Sequence, residues 1–345
     1  MENDVKLQNN NTPEVPKAKK FNFDLKDFVR NHLYEIIAVG GFLLCLIIFS
    51  FLPQVMTGRS NSTIWRKAVL NTYVEQVTVY MILAIGATFV YAMGSMDISV
   101  GYQVGIMATV FIFVANGSGS ILIGLVVALI IGCVCAVFNG ITGAYIKLPT
   151  VMSSVILMQF FRGLMTVLYT DSGNSSYLLE KDISWAGSTW FRILSLVVLA
   201  LVGAYILVFT KLGKRVKAIG ANKRAADLAG AQFLKSRIVA YSIFGVFLVI
   251  AAFFVVARTQ GMGEGDTSSY QMDIMIMLLM GGMPLSGGLR TKLLNAIVGT
   301  LTYALLSIGL AQCKVDASYI FFVKAIIFVT IVILTCRKPG ETLPR

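Results

Sequence analysis

Long, uninterrupted apolar segments restrict the fold of this chain more than any other feature of its sequence. Ten of them follow one another, most with about 20 residues, the length at which a helix crosses a hydrocarbon core about 30 Å thick. Backbone polar groups find no partner in lipid, so a spanning segment is helical. The segments are residues 33–52, 73–93, 102–115, 121–145, 150–170, 190–210, 237–257, 270–283, 295–312 and 318–335. We therefore predict an all-α polytopic membrane protein with about ten transmembrane segments, of which eight to ten cross fully.

The distribution of charge agrees with a membrane protein and argues against a nucleic-acid-binding protein. Only 13% of the 345 residues are charged and 57% are hydrophobic, whereas about 25% of the residues of ordinary soluble domains are charged. The formal net charge is nevertheless +12, because 29 Lys and Arg residues face 17 Asp and Glu residues. The basic residues cluster between the apolar segments, as they do in cytoplasmic loops of membrane proteins. We expect contacts with membrane lipid and none with nucleic acid.

The same basic residues predict the orientation of the chain. With the N-terminus in the cytoplasm, 20 of the 29 Lys and Arg residues fall in inner segments and six in outer segments, in agreement with the positive-inside rule. Both termini are then cytoplasmic. We predict a polar tail over residues 1–30, a transmembrane domain over residues 31–338 that contains a long cytoplasmic loop at residues 211–237, and a second tail over residues 339–345.

Two of the apolar segments are too short for a full crossing. Residues 103–115 span about 20 Å as a helix and residues 271–282 about 18 Å, less than the hydrocarbon thickness. We predict half-helices or parts of broken helices at both places.

The sequences beside these short segments also resemble each other. Met93–Gly101 (MGSMDISVG) matches Met280–Gly288 (MGGMPLSGG), which is an internal repeat with an offset of 187 residues. Glycine-interrupted short segments in two halves of a membrane protein indicate a transport pathway, although a pair of ordinary tight turns would give the same pattern. The crossing count gives both copies the same orientation, and an inverted repeat would need one segment to be re-entrant.

The long cytoplasmic loop at residues 211–237 contains a short predicted helix. Asn222 suits its N-cap and Gly230 its C-terminal end, and Ala225 and Ala226 leave room for a close partner. The alternative is a basic loop that only fixes the orientation of the chain.

Ionisable residues inside apolar segments are expensive, so each should have a partner or line a cavity. The candidates are Asp97, Arg162, Asp273 and Lys324. We predict that Asp273 pairs with Lys324 and that Asp97 pairs with a donor near the broken helix. Structural roles and contact with a solute both remain open for these residues.

Catalysis, metal binding and nucleotide binding have little support in the sequence. The five cysteines and the single histidine, His32, lack metal-ligand spacing, and no cluster of acid, base and nucleophile is evident. A phosphate-binding loop ends in Gly-Lys followed by Ser or Thr, but Gly213-Lys214 is followed by Arg215. We expect no catalytic residue, no metal site and no cofactor bound by this chain.

Four runs together resemble the permeases of ribose-type ABC importers over about residues 35–338. They are GATFVYAMGSMDISVG (86–101), FNGITGAYIKLPTVMSSVILMQFFRGL (138–164), AIGANKRAADLAG (218–230) and MDIMIMLLMGGMPLSGG (272–288). The run Asp97–Gly101 looks like the monosaccharide branch of that superfamily rather than the branched-chain amino acid branch. The Met283-Pro284 pair and the outer loop at residues 171–189 depart from the family pattern, which leaves the identity of the sugar open.

The resemblance implies a division of labour between several chains in the bacterial inner membrane. A separate ABC ATPase subunit would bind ATP and Mg, an extracytoplasmic binding protein would deliver the solute, and a second permease subunit, identical or different, would complete the pathway. The ATPase-coupling residues implied by the resemblance are Gly220, Asn222, Ala225, Ala226 and Gly230. Our pathway candidates are Asp97, Ser99, Gly101, Asn139, Gln159, Arg162, Asp273 and Lys324.

Alternatives to a ribose-like sugar importer remain open at this point. A nucleoside importer permease of the same superfamily would share these motifs. A secondary transporter driven by an ion gradient would also use broken helices, but it would move solute without another subunit. The solute remains open among pentoses, hexoses, autoinducer-like sugars and nucleosides.

Overall fold

The computed structural model describes residues 25–58, 64–145, 150–173, 175–284 and 286–336. The chain divides into two compact units, residues 1–33 and residues 34–345. The described part of the first unit is helical from Leu25, inside the segment predicted as a polar tail. The rest of that tail, and the C-terminal tail predicted at residues 339–345, lie outside the described residues.

Twelve α-helices account for most of the described chain, which confirms the prediction of an all-α polytopic membrane protein. Eight of them are long and apolar enough to cross a membrane, and shorter apolar helical stretches lie at Tyr270–Met280 and Ser318–Thr330. The helices are α1 Leu25–Thr57, α2 Lys67–Tyr91, α3 Val100–Ser118, α4 Ile121–Tyr145, α5 Thr150–Ser172, α6 Thr189–Phe209, α7 Lys211–Ala221, α8 Lys223–Leu228, α9 Phe233–Thr259, α10 Tyr270–Met280, α11 Leu293–Gln312 and α12 Ala317–Cys336.

Helices α2 and α9 form the centre of the bundle. Every residue of α2 from Val77 to Tyr91 is buried, because this stretch is apolar on all sides and therefore has no face suited to water. Helix α9 packs against α2, α3 and α4. The outer helices α1, α4, α5, α6 and α12 instead expose large apolar side chains, as expected of surfaces in contact with lipid or another membrane subunit.

A stripe of small residues brings α4 close to its neighbours. Gly124, Ala128, Gly132, Ala136 and Gly140 recur every four residues, and all are buried. Small side chains let helix backbones approach closely in membranes, where van der Waals packing drives helix association. A Cβ atom at Gly132 would clash with Cγ2 of Val249 on α9.

We expect the substitution Gly132→Ala to destabilise the protein. Overpacking a tight interface costs about 1–3 kcal/mol, more than the gain of up to about 1 kcal/mol from replacing a helical glycine by alanine. Gly117→Ala is the matched control, because a Cβ there meets no atom within 4 Å. Thermal unfolding of the detergent-solubilised protein should give a lower Tm for the first variant and an unchanged or higher Tm for the second. Equal Tm values for the two variants would contradict the close packing of α4.

The two segments predicted to be short differ in the structure. Helix α10 has 11 residues and rises about 16 Å, as predicted for a half-helix. Helix α3 has 19 residues and rises about 28 Å. It is therefore longer than the half-helix predicted at residues 103–115. The helix continues through its polar end because the side chain of Asn116 donates a hydrogen bond to the Leu178 carbonyl at 2.9 Å.

Two short strands join the loops that precede α6 and α10. Strand β1 (Ser176–Leu178) pairs antiparallel with β2 (Gly261–Gly263), with Tyr177 opposite Met262. A 3-10 helix at Ser184–Gly187 follows β1. The strands lie beside the C-terminal end of α3, through the Asn116 bond to Leu178.

Candidate functional site

The two copies of the internal repeat are two glycine turns with the same geometry. The turn after α2 has Gly94 at φ 70°, and the turn after α10 has Gly282 at φ 81°. Each is closed by a backbone bond that spans five residues, Ser95 N to Val90 O at 3.4 Å and Met283 N to Leu278 O at 3.0 Å. This is a common way to end a helix with a left-handed glycine. In the structure Gly94 corresponds to Gly282. The sequence repeat pairs Gly94 with Gly281, so the two matches differ by one residue.

The first glycine turn lies against the segment that follows the second turn. The Gly288 N–H donates to the Ala92 carbonyl at 2.9 Å, and a Cβ atom at Gly94 would lie 2.7 Å from the Ser286 carbonyl oxygen. Helices α2 and α10 therefore end at the same end of the bundle, in agreement with the common orientation given by the crossing count.

Asp97 follows the first turn and holds a buried polar cluster together. Its Oδ1 accepts hydrogen bonds from the Ser99 N–H at 2.8 Å and the Ser99 hydroxyl at 2.6 Å. Its Oδ2 accepts from Asn139 Nδ2 at 2.5 Å and from Gln103 Nε2 at 3.4 Å. Burial raises the pKa of Asp97 above its ordinary value, and the bonds from Ser99, Asn139 and Gln103 act in the opposite direction. The donor predicted for Asp97 is thus a set of amide and hydroxyl groups.

The first turns of α3 and α10 meet inside the bundle. A Cβ atom at Gly101 would lie 2.5 Å from the Thr267 carbonyl oxygen, and one at Gly105 would lie 2.9 Å from the Thr267 hydroxyl oxygen. Thr267 and Tyr270 are both buried. Helices that begin within a membrane bundle are typical of transport proteins, where their N-terminal ends lie at the bundle interior. Three other pathway candidates lie close to Asp97. Ser99 and Asn139 belong to its cluster, and Gly101 follows Ser99 by two residues.

Asp273 and Lys324 form a second buried cluster, separate from the Asp97 cluster. Lys324 Nζ lies 3.6 Å from Asp273 Oδ1, so the pair predicted from the sequence is present. Tyr80 and Tyr303 donate their hydroxyl groups to the two oxygens of the same carboxylate. The ammonium group of Lys324 also lies 4.5 Å from the centre of the Tyr303 ring. A buried carboxylate with three partners of this kind is well suited to a structural role.

Gln159 and Arg162 lie apart from both clusters, on the exposed face of α5. The same face carries Thr166, whose hydroxyl donates to Glu264 Oε1 at 2.5 Å. Charged side chains within membrane spans generally face a water-filled cavity or a protein partner rather than lipid. Helix α5 also exposes large apolar side chains, among them Ile156 and Phe160.

The predicted helix of the long loop is present as α8, and its caps are those expected. The Asn222 side chain accepts from the Ala225 N–H at 3.1 Å, and Gly230 has φ 83°. Both Ala225 and Ala226 were expected to face a partner. In the structure Ala225 is exposed, but Ala226 is buried within the protein. Packing against the rest of the chain decides which face of such a short helix points inward. The sequence analysis also missed helix α7, which precedes α8.

Leu228 is the most exposed large apolar residue of the described chain and was not among the predicted site residues. It is 92% exposed at the end of α8, in a segment that is not a membrane span. Its position in a basic, polar loop was the available signal.

An ion pair between the buried Arg192 of α6 and the half-buried Glu75 of α2 was also missed. Glu75 Oε1 lies 2.6 Å from Arg192 Nη1. Arg192 lies in the first turn of α6, and Glu75 lies about two turns into α2. Opposite charges in two otherwise apolar spans were the signal. This pair ties α6, which leads into α7 and α8, to the central helix α2.

Comparison with known proteins places these features in a family. Residues 69–332 match the family described as branched-chain amino acid transport system / permease component. The ribose import permease protein RbsC of Bacillus subtilis (strain 168) is 28% identical over 313 residues, which are 87% of this chain and 92% of that protein. The protein of the same name from Escherichia coli (strain K12) is 26% identical over 274 residues, 76% of this chain and 84% of the relative.

A third relative carries a different solute in its name. The autoinducer 2 import system permease protein LsrC of Photorhabdus laumondii is 26% identical over 263 residues, which are 75% of this chain and 78% of that protein. No solved structure matches the chain.

Proposed function

The chain belongs to the family of permease components named for branched-chain amino acid transport systems, and from this membership we propose that it is the membrane-spanning subunit of an ATP-driven importer for a sugar or a related solute. The multi-pass helical bundle of an inner-membrane permease is the fold that such a subunit requires. The names of its relatives support ribose-like sugars and autoinducer 2 as the solute class. The run Asp97–Gly101 supports the same branch.

A separate ATPase subunit drives the transport in this proposal, and α8 is its docking site. The single observation that carries this assignment is the surface of α8, where Leu228 is 92% exposed beside Ala225 on a helix that is fixed by its Asn222 cap. The buried core of a protein interface is more apolar and carries less charge than its rim, which suits an exposed leucine surrounded by a basic loop. The excess of Lys and Arg in this loop supports its cytoplasmic location.

The solute follows the exposed face of α5 in the same proposal. Gln159, Arg162 and Thr166 give this face polar groups that can replace the water around a sugar hydroxyl group, and they lie on the surface where a second permease subunit can face them. The Asp97 and Asp273 clusters are buried and hydrogen-bonded within one chain, so they hold the interrupted helices in position. ATP binding moves the ATPase subunits, α8 follows, and the two permeases open to opposite sides in turn. A ligand drives such a switch only through different affinities for the two states.

Substitution of Leu228 tests the docking site. Leu228→Ser should weaken binding of the ATPase subunit about tenfold, because removing an anchor residue from an interface costs more than about 1 kcal/mol. Leu178→Ser is the matched control, since Leu178 is 67% exposed in strand β1, beside the far end of α3. Copurification of the ATPase with each detergent-solubilised variant measures the effect. Equal recovery of the ATPase with both variants would remove α8 as the docking site.

Reconstitution tests the whole function. Proteoliposomes that contain this chain, its copurified ATPase and its external binding protein should take up the solute of that binding protein only when ATP is supplied on the ATPase side. Proteoliposomes that contain this chain alone should show no uptake. Uptake by this chain alone under an ion gradient would instead identify a secondary transporter. The ligand of the binding protein then identifies the solute among sugars, autoinducer-like molecules and nucleosides.

A further inference from the structure

Gly220, at the C-terminal end of α7, lies between main-chain atoms next to the first glycine turn and main-chain atoms that follow the second. A Cβ atom at Gly220 would clash with the carbonyl oxygen of Ala92, next to the first turn. The same atom would lie 2.6 Å from the backbone nitrogen of Gly288, beyond the second turn. Only glycine fits between these two backbones.

The contact continues on both sides of Gly220. The Gly288 N–H donates to the Ala92 carbonyl at 2.9 Å, and a Cβ atom at Gly288 would lie 3.3 Å from Cα of Ala221. A Cβ atom at Gly287 would lie 2.5 Å from the nitrogen of Gly94. We call the three segments Ala92–Gly94, Gly220–Ala221 and Gly287–Gly288 the glycine junction. Within it, a Cβ atom at any of the four glycines would meet backbone atoms first.

The junction connects α8 to the helices that carry the interior clusters. Helix α8 begins at Lys223, and its cap, Asn222, follows directly after Ala221. The first turn leads through Asp97 into α3, and the second turn joins α10, which carries Asp273, to α11. Helix α7 is itself held in place, because Val216 and Ile219 are buried and a Cβ at Gly213 would clash with the Leu207 carbonyl.

We propose that the glycine junction makes α8 and the two glycine turns move as one rigid body during transport, with Gly220 as the positioning residue that fixes them to each other. This inference rests on the proposed function, because it describes how the movement of an ATPase docked on α8 reaches the interior. Long side chains at a contact can change rotamer and absorb a displacement, whereas packed backbones transmit it. A displacement of α8 therefore reaches α3, α10 and α11 without loss.

A distance measurement in the assembled importer tests the rigid body. Spin labels at Lys214→Cys on α7 and Arg290→Cys after the second turn are both on exposed positions. Within one labelled permease subunit, their separation should be the same in the nucleotide-free and ATP-bound states. The separation between labels at Lys214→Cys in the two permease subunits should change between these states. A change within one subunit as large as the change between subunits would overturn the inference. If no ATPase associates with the chain, the proposed function fails instead.

Substitution of Gly220 supplies a second, functional test. Gly220→Ala should reduce uptake per assembled importer about tenfold, because a methyl group at residue 220 would push the backbones of the three segments apart. It should also broaden the distribution of distances between the labels at 214 and 290. Gly117→Ala, where a Cβ meets no atom within 4 Å, is the matched control and should change none of these quantities. Unchanged uptake in Gly220→Ala would overturn the role of Gly220. If this variant fails to assemble, the distances in the protein with Gly220 decide the question.

Discussion

Asp273→Ala is expected to lower the stability of the protein by about 3–5 kcal/mol, the usual cost of leaving one partner of a buried ion pair alone. The substitution removes the carboxylate that faces Lys324 Nζ at 3.6 Å and accepts the hydroxyl groups of Tyr80 and Tyr303. Lys324 then keeps a buried charge whose remaining neighbours are aromatic rings. The fraction of folded protein after a temperature step, measured by size-exclusion chromatography in detergent, should fall sharply.

A double substitution separates the charge from the packing at this cluster. Asp273→Asn combined with Lys324→Met removes both charges and nearly preserves volume, so it should be more stable than either single variant, because replacing a whole buried pair is often nearly neutral. A double variant that is as unstable as the sum of its two single variants would show that the pair contributes no coupling energy.

Asp97→Ala is expected to cost about 3 kcal/mol, because it removes the acceptor of several buried donors at about 1–3 kcal/mol each. The N–H and hydroxyl of Ser99 lose their acceptor. The amide groups of Gln103 and Asn139 lose one of two acceptors and keep the Ser99 hydroxyl oxygen. Asp97→Asn should also destabilise the protein, but by less, because its amide group places a donor opposite a donor. Thermal unfolding in detergent measures both effects.

Ser154→Ala is the control for the Asp97 variants. Ser154 is as buried as Asp97, but its hydroxyl bonds only to the Val151 carbonyl of its own helix. We expect a loss of less than about 1 kcal/mol for this variant. Equal losses for Ser154→Ala and Asp97→Ala would mean that the Asp97 cluster adds nothing beyond the burial of one polar residue.

Local chemistry made parts of this structure predictable from the sequence. Asn222 and Gly230 bound α8 as expected, because a helix cap depends on the residues next to it. The Asp273–Lys324 pair was predicted because a charge within an apolar span needs a partner. The length and low polarity of the spans predicted the number and type of the helices, since a bilayer permits few alternatives.

Tertiary contacts decided the features that the sequence analysis missed. Ala226 faces inward because α8 packs on the rest of the chain, which its own residues do not reveal. Helix α3 extends beyond its apolar stretch because Asn116 finds a partner in Leu178. The eight pathway candidates looked like one set in the sequence. In the structure they divide between the Asp97 cluster, the Asp273 cluster and the exposed face of α5, and their part in transport stays a prediction.

Accessibility of residue 228 tests most directly whether α8 is the cytoplasmic attachment point of a separate ATPase. Leu228→Cys is treated with a membrane-impermeant maleimide in intact spheroplasts and in inside-out vesicles, with Lys181→Cys as the control for the outer side and the unsubstituted chain as the blank. We expect residue 228 to react only in inside-out vesicles, and to be protected there when the ATPase subunit is bound. If residue 228 were labelled in intact spheroplasts as readily as residue 181, α8 could not be the cytoplasmic attachment point of the ATPase.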